Sequence, residues 1–149
     1  MQLTPLETYI RLTSGVAALA WLASWFLPAA AEVPGWLAFR YALEPLWNSQ
    51  EKQWADAVPW LLSALTNVVF PVLFVLAWRS AVTRPGLYIR VAIACFILNL
   101  YWIVQASREG KAHELLVGYY AWLAAFALLL VSGVLIHRTS KRPTAGRPA

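Results

Sequence analysis

The chain has 149 residues, of which 60% are hydrophobic and only 13% are charged, and its net charge is +5. Because a soluble domain usually carries about 25% charged residues, this composition excludes an ordinary soluble domain. The single cysteine, Cys95, excludes a disulfide bond within one chain.

Four apolar stretches are long enough to cross a membrane as helices, which takes about 20 residues each. They predict spans at about 12–31, 58–78, 87–107 and 115–137, with Arg90 reaching the interface from the start of the third. The first stretch ends in Ala-Ala-Ala, as a cleaved secretory signal does, but its length and its neutral start favour a retained span. We therefore predict an all-α fold with a single membrane domain, a polytopic four-helix transmembrane bundle.

The distribution of charge predicts the orientation of this bundle. Eight basic residues fall on the side that holds both termini, the 79–87 loop and the basic tail 138–149, whereas the other side holds four basic and six acidic residues. An excess of Lys and Arg in short loops marks the cytoplasmic side. Both termini are therefore expected in the cytoplasm, and the basic residues indicate topology rather than binding to nucleic acid.

The predicted outer loop, residues 32–57, is rich in aromatic residues. Its large apolar side chains fall at positions 36, 39, 43, 46 and 47, a spacing that places them on one face of a helix. Pro45 predicts a break in that helix, because proline lacks a backbone donor and disfavours helix at the preceding residue. Such an amphipathic segment lies in the membrane interface, where it either anchors the loop or contacts a protein partner or lipid. The residues expected to make these contacts are Trp36, Phe39, Leu43, Trp47 and Trp54.

Polar residues inside the predicted spans are few, and none that lies deep is ionisable, which argues against proton- or ion-coupled transport. Asn67 in the second span and Asn99 in the third each lie seven residues below the predicted outer surface, a depth of about 10 Å. We expect these two amides to hydrogen-bond across neighbouring helices, with Tyr101 nearby. The alternative is that the three residues form a polar intramembrane site, open to a lipid headgroup or a small ligand.

Small residues recur at helical spacing in the first and last spans. Ser14 and Ala18 are four residues apart, as are Ala121 and Ala125, with Ser132 and Gly133 further along. This spacing lets helix backbones approach closely. It predicts tight packing, either within one chain or between subunits.

The second outer connection contains "SREGKAHELL". Glu109 and His113 are four residues apart and would share a helical face, with Glu114 adjacent. A divalent metal needs three or four ligands in fixed geometry, and this spacing does not require such a site. We predict no catalytic residue, no metal site and no cofactor.

Two stretches of the chain, "FLPAAAEVPGWLAF" and "GYYAWLAAFALLLVSGVL", carry a resemblance. A Pro-Gly-Trp after the first span and a Gly-Tyr-Tyr-x-Trp-Leu opening the last resemble those of small four-span bacterial membrane proteins of unknown function. The resemblance covers about a quarter of the chain. It implies a four-span layout in a bacterial inner membrane and implies no activity.

These features favour a non-catalytic membrane protein that acts by contact, as an accessory, assembly or immunity-type subunit. Its expected partners are the lipid bilayer and another membrane protein or a second copy of itself. One alternative is a homo-oligomeric pore or small transporter lined by Asn67, Asn99 and Tyr101. Another is a lipid-handling enzyme that uses Glu109, His113 and a carboxylate of the first outer loop.

Overall fold

The structure, a computed structural model, describes residues 4–47, 54–79 and 82–140, with the backbone alone for residues 54–56. The protein is all-α and 85% helical. Its long helices are α1 (Pro5–Phe26), α3 (Trp54–Trp78), α4 (Pro85–Arg108) and α5 (Val117–Ser140). Between α1 and α3 lie β1 (Pro28–Ala30), β2 (Val33–Pro34), α2 (Gly35–Leu43) and a 3₁₀ turn (Glu44–Leu46), and a second 3₁₀ turn (Ala112–Glu114) precedes α5.

Three of the described helices are long and apolar enough to cross a membrane: Ala57–Trp78 of α3, Pro85–Arg108 of α4 and Val117–Ser140 of α5. They correspond to the predicted second, third and fourth spans. The first helix, α1, has 22 residues and a length of about 33 Å, but Glu7, Arg11 and several hydroxyl residues lower its hydropathy. By length and composition together, three of the described helices are therefore candidate spans, and α1 is not among them.

The bounds of α1 differ from the predicted span 12–31 because of local signals at each end. Thr4 and Glu7 form a capping box, in which each side chain accepts a hydrogen bond from the other's backbone N–H, and Pro5 occupies the first turn. At the other end Leu27 is extended (φ −80°, ψ 150°), as expected of a residue before proline. Pro28 thus ends the helix before the apolar stretch ends.

The core of the bundle is organised around α5, which packs most extensively against α1 and next against α4. Small residues bring α1 and α5 together: Ser14, Ala17, Ala125 and Ser132 are all fully buried. The hydroxyl oxygens of Thr13 and Ser132 lie 2.7 Å apart across this contact. These small residues of α1 and α5 therefore pack within one chain.

A short β-hairpin and α2 cover one end of the bundle, and we call residues 28–47 the cap segment. In the hairpin β1 pairs antiparallel with β2, and both turn residues, Ala31 and Glu32, have positive φ (45° and 64°), as a two-residue hairpin turn requires. The predicted helix is present as α2, and it ends before Pro45. The tail from residue 141 and residues 48–53 of the predicted outer loop lie outside the described residues.

Candidate functional site

Two glycines, Gly35 and Gly118, allow the cap segment and the start of α5 to lie against the end of α1. One comes from each of the two stretches that carry the sequence resemblance. A Cβ at Gly35 would lie 2.0 Å from the backbone oxygen of Ser24, and one at Gly118 would lie 2.6 Å from that of Leu27. No side chain fits at either distance. Backbone hydrogen bonds complete the attachment: Ala31 donates to Glu114 (2.9 Å) and Leu116 donates to Ala29 (2.9 Å).

The cap segment encloses a cavity of about 370 Å³ between itself and the ends of the long helices. Gly35, Ala38, Phe39 and Ala42 line it from α2, a spacing of three and four residues that defines the inner face of this helix. The sequence analysis placed the largest apolar side chains of this segment, at 36, 39, 43, 46 and 47, together on one face. The close approach at Gly35 turns the small residues inward instead, because only they allow α2 to lie so near α1.

Six aromatic residues line this cavity, in three contacting pairs. Trp25 of α1 lies against Phe39 of α2, with ring centroids 5.2 Å apart. Trp60 of α3 lies against Trp102 of α4 at 4.4 Å. Tyr119 and Trp122 of α5 make the third pair at 6.0 Å. All six residues line the cavity, so each of the helices α1 to α5 contributes at least one aromatic ring to its wall.

Asn67 provides an amide at the wall of the cavity. Its Oδ1 accepts a hydrogen bond from Trp21 Nε1 at 3.1 Å. Because an indole N–H can only donate, this bond fixes the orientation of the amide. The Nδ2 donor of Asn67 therefore points away from Trp21.

Asn99 is fully buried and does not belong to the cavity lining. Its side-chain oxygen accepts from Ser63 Oγ at 3.5 Å, and Ser63 in turn accepts from Trp102 Nε1 at 3.0 Å. The Tyr119 hydroxyl donates to the backbone oxygen of Asn99. Within the described hydrogen bonds, Asn67 and Asn99 are not partners of each other: Asn67 accepts from Trp21 and Asn99 accepts from Ser63.

The residues predicted to form an intramembrane polar site fall into three different environments. Asn67 lines the cavity, Asn99 is enclosed in the bundle, and Tyr101 is 40% exposed on the outside of α4. One chain therefore does not bring the three side chains together along a common path.

The residues predicted for docking also separate. Trp36 (48% exposed) and Trp47 (62% exposed) face outward, whereas Phe39 lines the cavity and Leu43 is half-buried. The side chain of Trp54 lies outside the described part of the structure. Leu46 and Tyr41, 61% and 49% exposed, extend the outward-facing apolar surface.

Charged residues lie at the mouth of the cavity, on the connection between α4 and α5. Lys111 Nζ lies 3.4 Å from Glu109 Oε2, and Gln105 Nε2 donates to Glu109 Oε1 at 2.6 Å. The hydrogen bond from Gln105, followed by the contact with Lys111, lowers the pKa of Glu109 below its ordinary value. Glu114 also lines the cavity and makes no ion pair within the described residues.

His113 is exposed in the 3₁₀ turn. Within residues 4–47, 54–79 and 82–140, no three His, Cys, Asp or Glu side chains come close enough to hold a metal ion. The side chains of Glu109, His113 and Glu114 therefore do not come together as metal ligands.

The sequence analysis placed the aromatic residues of the predicted outer loop in the membrane interface and did not connect them with the tryptophans of the long helices. It missed their common cavity, because the cavity depends on α3 and α4 meeting through large rings rather than small residues. The useful signal was the uneven distribution of tryptophan along the spans. Trp25, Trp60, Trp102 and Trp122 all lie near the predicted outer ends of their spans.

The chain matches no family model, no curated protein and no solved structure. Its site is therefore interpreted from its own geometry.

Proposed function

We propose that this protein is an integral membrane protein that acts without catalysis, by contacting another membrane protein through its cap segment. The observation that carries the proposal is the outward face of that segment. Trp36, Tyr41, Leu46 and Trp47 are each about half exposed or more, although the hairpin and Gly35 hold the segment firmly on the bundle. A fixed surface rich in Trp and Tyr is typical of protein contact sites.

The proposed topology has four spans in a bacterial inner membrane, with α1 as the first and both termini in the cytoplasm. An apolar stripe on α1 supports its insertion: Leu12, Leu19 and Phe26, seven residues apart, are 60%, 68% and 80% exposed. An exposed stripe of this length is costly in water, and lipid would cover it. The charge asymmetry of the loops supports the orientation.

Native mass spectrometry of the protein, extracted gently from its own membranes, tests the contact. We expect a stoichiometric foreign subunit that is lost from a double variant, Trp36→Ala with Trp47→Ala. The control is Leu19→Ala, which removes an equally exposed apolar side chain from the α1 stripe and should retain the subunit. A ring of identical subunits would instead support the pore, and a monomer carrying one lipid species would support lipid handling.

A further inference from the structure

We propose that the cavity beneath the cap segment is a binding site for an organic ammonium cation, such as a quaternary ammonium group. This inference goes beyond the proposed contact function and does not depend on it. It rests on the shape of the cavity, the chemistry of its wall and the charge at its mouth.

The size of the cavity fits a small molecule or a headgroup. Its volume of about 370 Å³ lies near the lower end of the roughly 300–1,000 Å³ found for small-molecule pockets. A complete phospholipid would not fit, whereas a trimethylammonium group with a short substituent would. The rigid hydrogen-bonded attachment of the cap segment keeps this space formed without a ligand.

Six aromatic residues line the cavity, beside the polar side chains of Asn67 and Gln105. The indole nitrogens of Trp25 and Trp122 are buried, so these side chains meet the cavity through carbon atoms. The indole N–H of Trp102 is bonded to Ser63. Aromatic faces carry partial negative charge and attract cations, with Trp the strongest, and a cage of several rings is the usual receptor for quaternary ammonium groups.

The charge at the mouth favours the same ligand. Of the described lining residues, Glu109, Lys111 and Glu114 are charged, which leaves one net negative charge. Lys111 is paired with Glu109, and Glu114 makes no ion pair within the described residues. A cation therefore enters past a carboxylate, which would repel an anion.

Comparing a cation with its neutral isostere tests the proposal directly. The protein would be placed in nanodiscs of phosphatidylglycerol, which contain no quaternary ammonium group, and titrated by tryptophan fluorescence with choline and with 3,3-dimethylbutan-1-ol. We expect saturable binding of choline and binding of the alcohol that is weaker by about tenfold or more. Empty nanodiscs correct for accumulation of the cation at the lipid surface. Equal binding of the two compounds, or binding of neither, would overturn the proposal.

Variants locate the binding in the cavity. Trp102→Leu should weaken choline binding by about fivefold or more, and Trp78→Leu, which removes a tryptophan outside the cavity lining, should leave it unchanged. Glu114→Gln, a substitution at the mouth that preserves the shape of the side chain, should weaken choline but not the alcohol. An unchanged choline affinity in both Trp102→Leu and Glu114→Gln would refute a site in this cavity.

The same ammonium chemistry can come from a lipid headgroup or from a dissolved molecule. Repeating the choline titration in phosphatidylcholine nanodiscs separates these two sources. Loss of choline binding in that membrane would identify the headgroup as the occupant. Undiminished binding would identify a free cation.

Discussion

The two halves of the bundle are built differently: the α1–α5 contact is close and made of small residues, whereas α3 and α4 meet through large rings beside a cavity. The first contact joins the two ends of the chain, and Ser14, Ala17, Ala125 and Ser132 are fully buried in it. The second joins helices that are consecutive in sequence, and it holds Trp60 against Trp102 at 4.4 Å. In a membrane, helix association depends on packing rather than on the exclusion of water, so small residues give a tight contact and large rings leave space.

This difference assigns separate tasks to the two halves. The α1–α5 contact stabilises the bundle, and its fully buried residues leave no room for a ligand. The α3–α4 side, together with the cap segment, is packed less closely and surrounds the cavity. The hydrogen bonds of Trp21 with Asn67 and of Trp102 with Ser63 hold those walls in place.

The comparison is tested most strongly by the same substitution at a fully buried position of α5 and beside the cavity. Leu129→Ala in α5 removes a fully buried side chain and should cost about 2–5 kcal/mol of unfolding free energy, because it creates a new void. Leu115→Ala, at a half-buried position that already lines the cavity, enlarges existing space and should cost less than half as much. Unfolding of both variants in mixed micelles with increasing SDS measures the difference. Equal losses would mean that the two halves are packed alike.

The attachment of the cap segment gives a smaller, more local effect. Gly35→Ala would place a Cβ 2.0 Å from the Ser24 oxygen, and since a backbone atom cannot rotate away, the cap segment must move. We expect a loss of about 1–3 kcal/mol and rapid proteolysis near residues 31–47 in the variant. Gly86→Ala in α4 is the matched control, because nothing lies within 4 Å of its added Cβ. A cap segment that stays protected in Gly35→Ala would show that the close approach does not hold it.

The sequence alone predicted the features that depend on composition and local signals. The apolar stretches located the helices, and Pro45 correctly marked the end of α2. The start of α1 carries a local signal, the Thr4 and Glu7 capping box, which the sequence analysis did not use.

What sequence reasoning missed depends on contacts between distant segments. Residues 29–31 of the hairpin also pair with residues 114–116, and no residue near Ala31 predicts a turn in which two non-glycine residues have positive φ. Asn67 and Asn99 were expected to pair because they lie at equal depth. Their actual partners, Trp21 and Ser63, depend on how α1 and α3 are rotated, which the spacing within one helix does not determine. For the same reason the docking residues were assigned to one face of α2, although Phe39 faces the cavity and Trp36 does not.

The smallest predicted effect concerns the two ends of the bundle at acid pH. Glu109, at the mouth of the cavity, has a lowered pKa because Gln105 and then Lys111 stabilise its carboxylate. Glu7 lies in the first turn of α1. Its pKa is lowered because its carboxylate accepts hydrogen bonds from the backbone and the side chain of Thr4. A carboxyl group whose pKa is lower in the folded state stabilises that state above its ordinary pKa of 4.5, and the contribution is lost as the pH falls through the lowered value.

Acidification below that ordinary value should therefore loosen the α4–α5 connection and the first turn of α1 independently. Hydrogen exchange measured by mass spectrometry should become faster in residues 109–114 and in residues 4–8. An amide at position 109, like a protonated carboxyl group, no longer attracts Lys111 by charge. Hydrogen exchange at neutral pH should therefore already be faster in residues 109–114 of the Glu109→Gln variant. In the Glu7→Gln variant it should be faster in residues 4–8 only. Both carboxylates are exposed, so each effect should be small beside the loss in Leu129→Ala. If either variant altered exchange in the α1–α5 contact itself, the two halves would be coupled, and the division of tasks between them would be wrong.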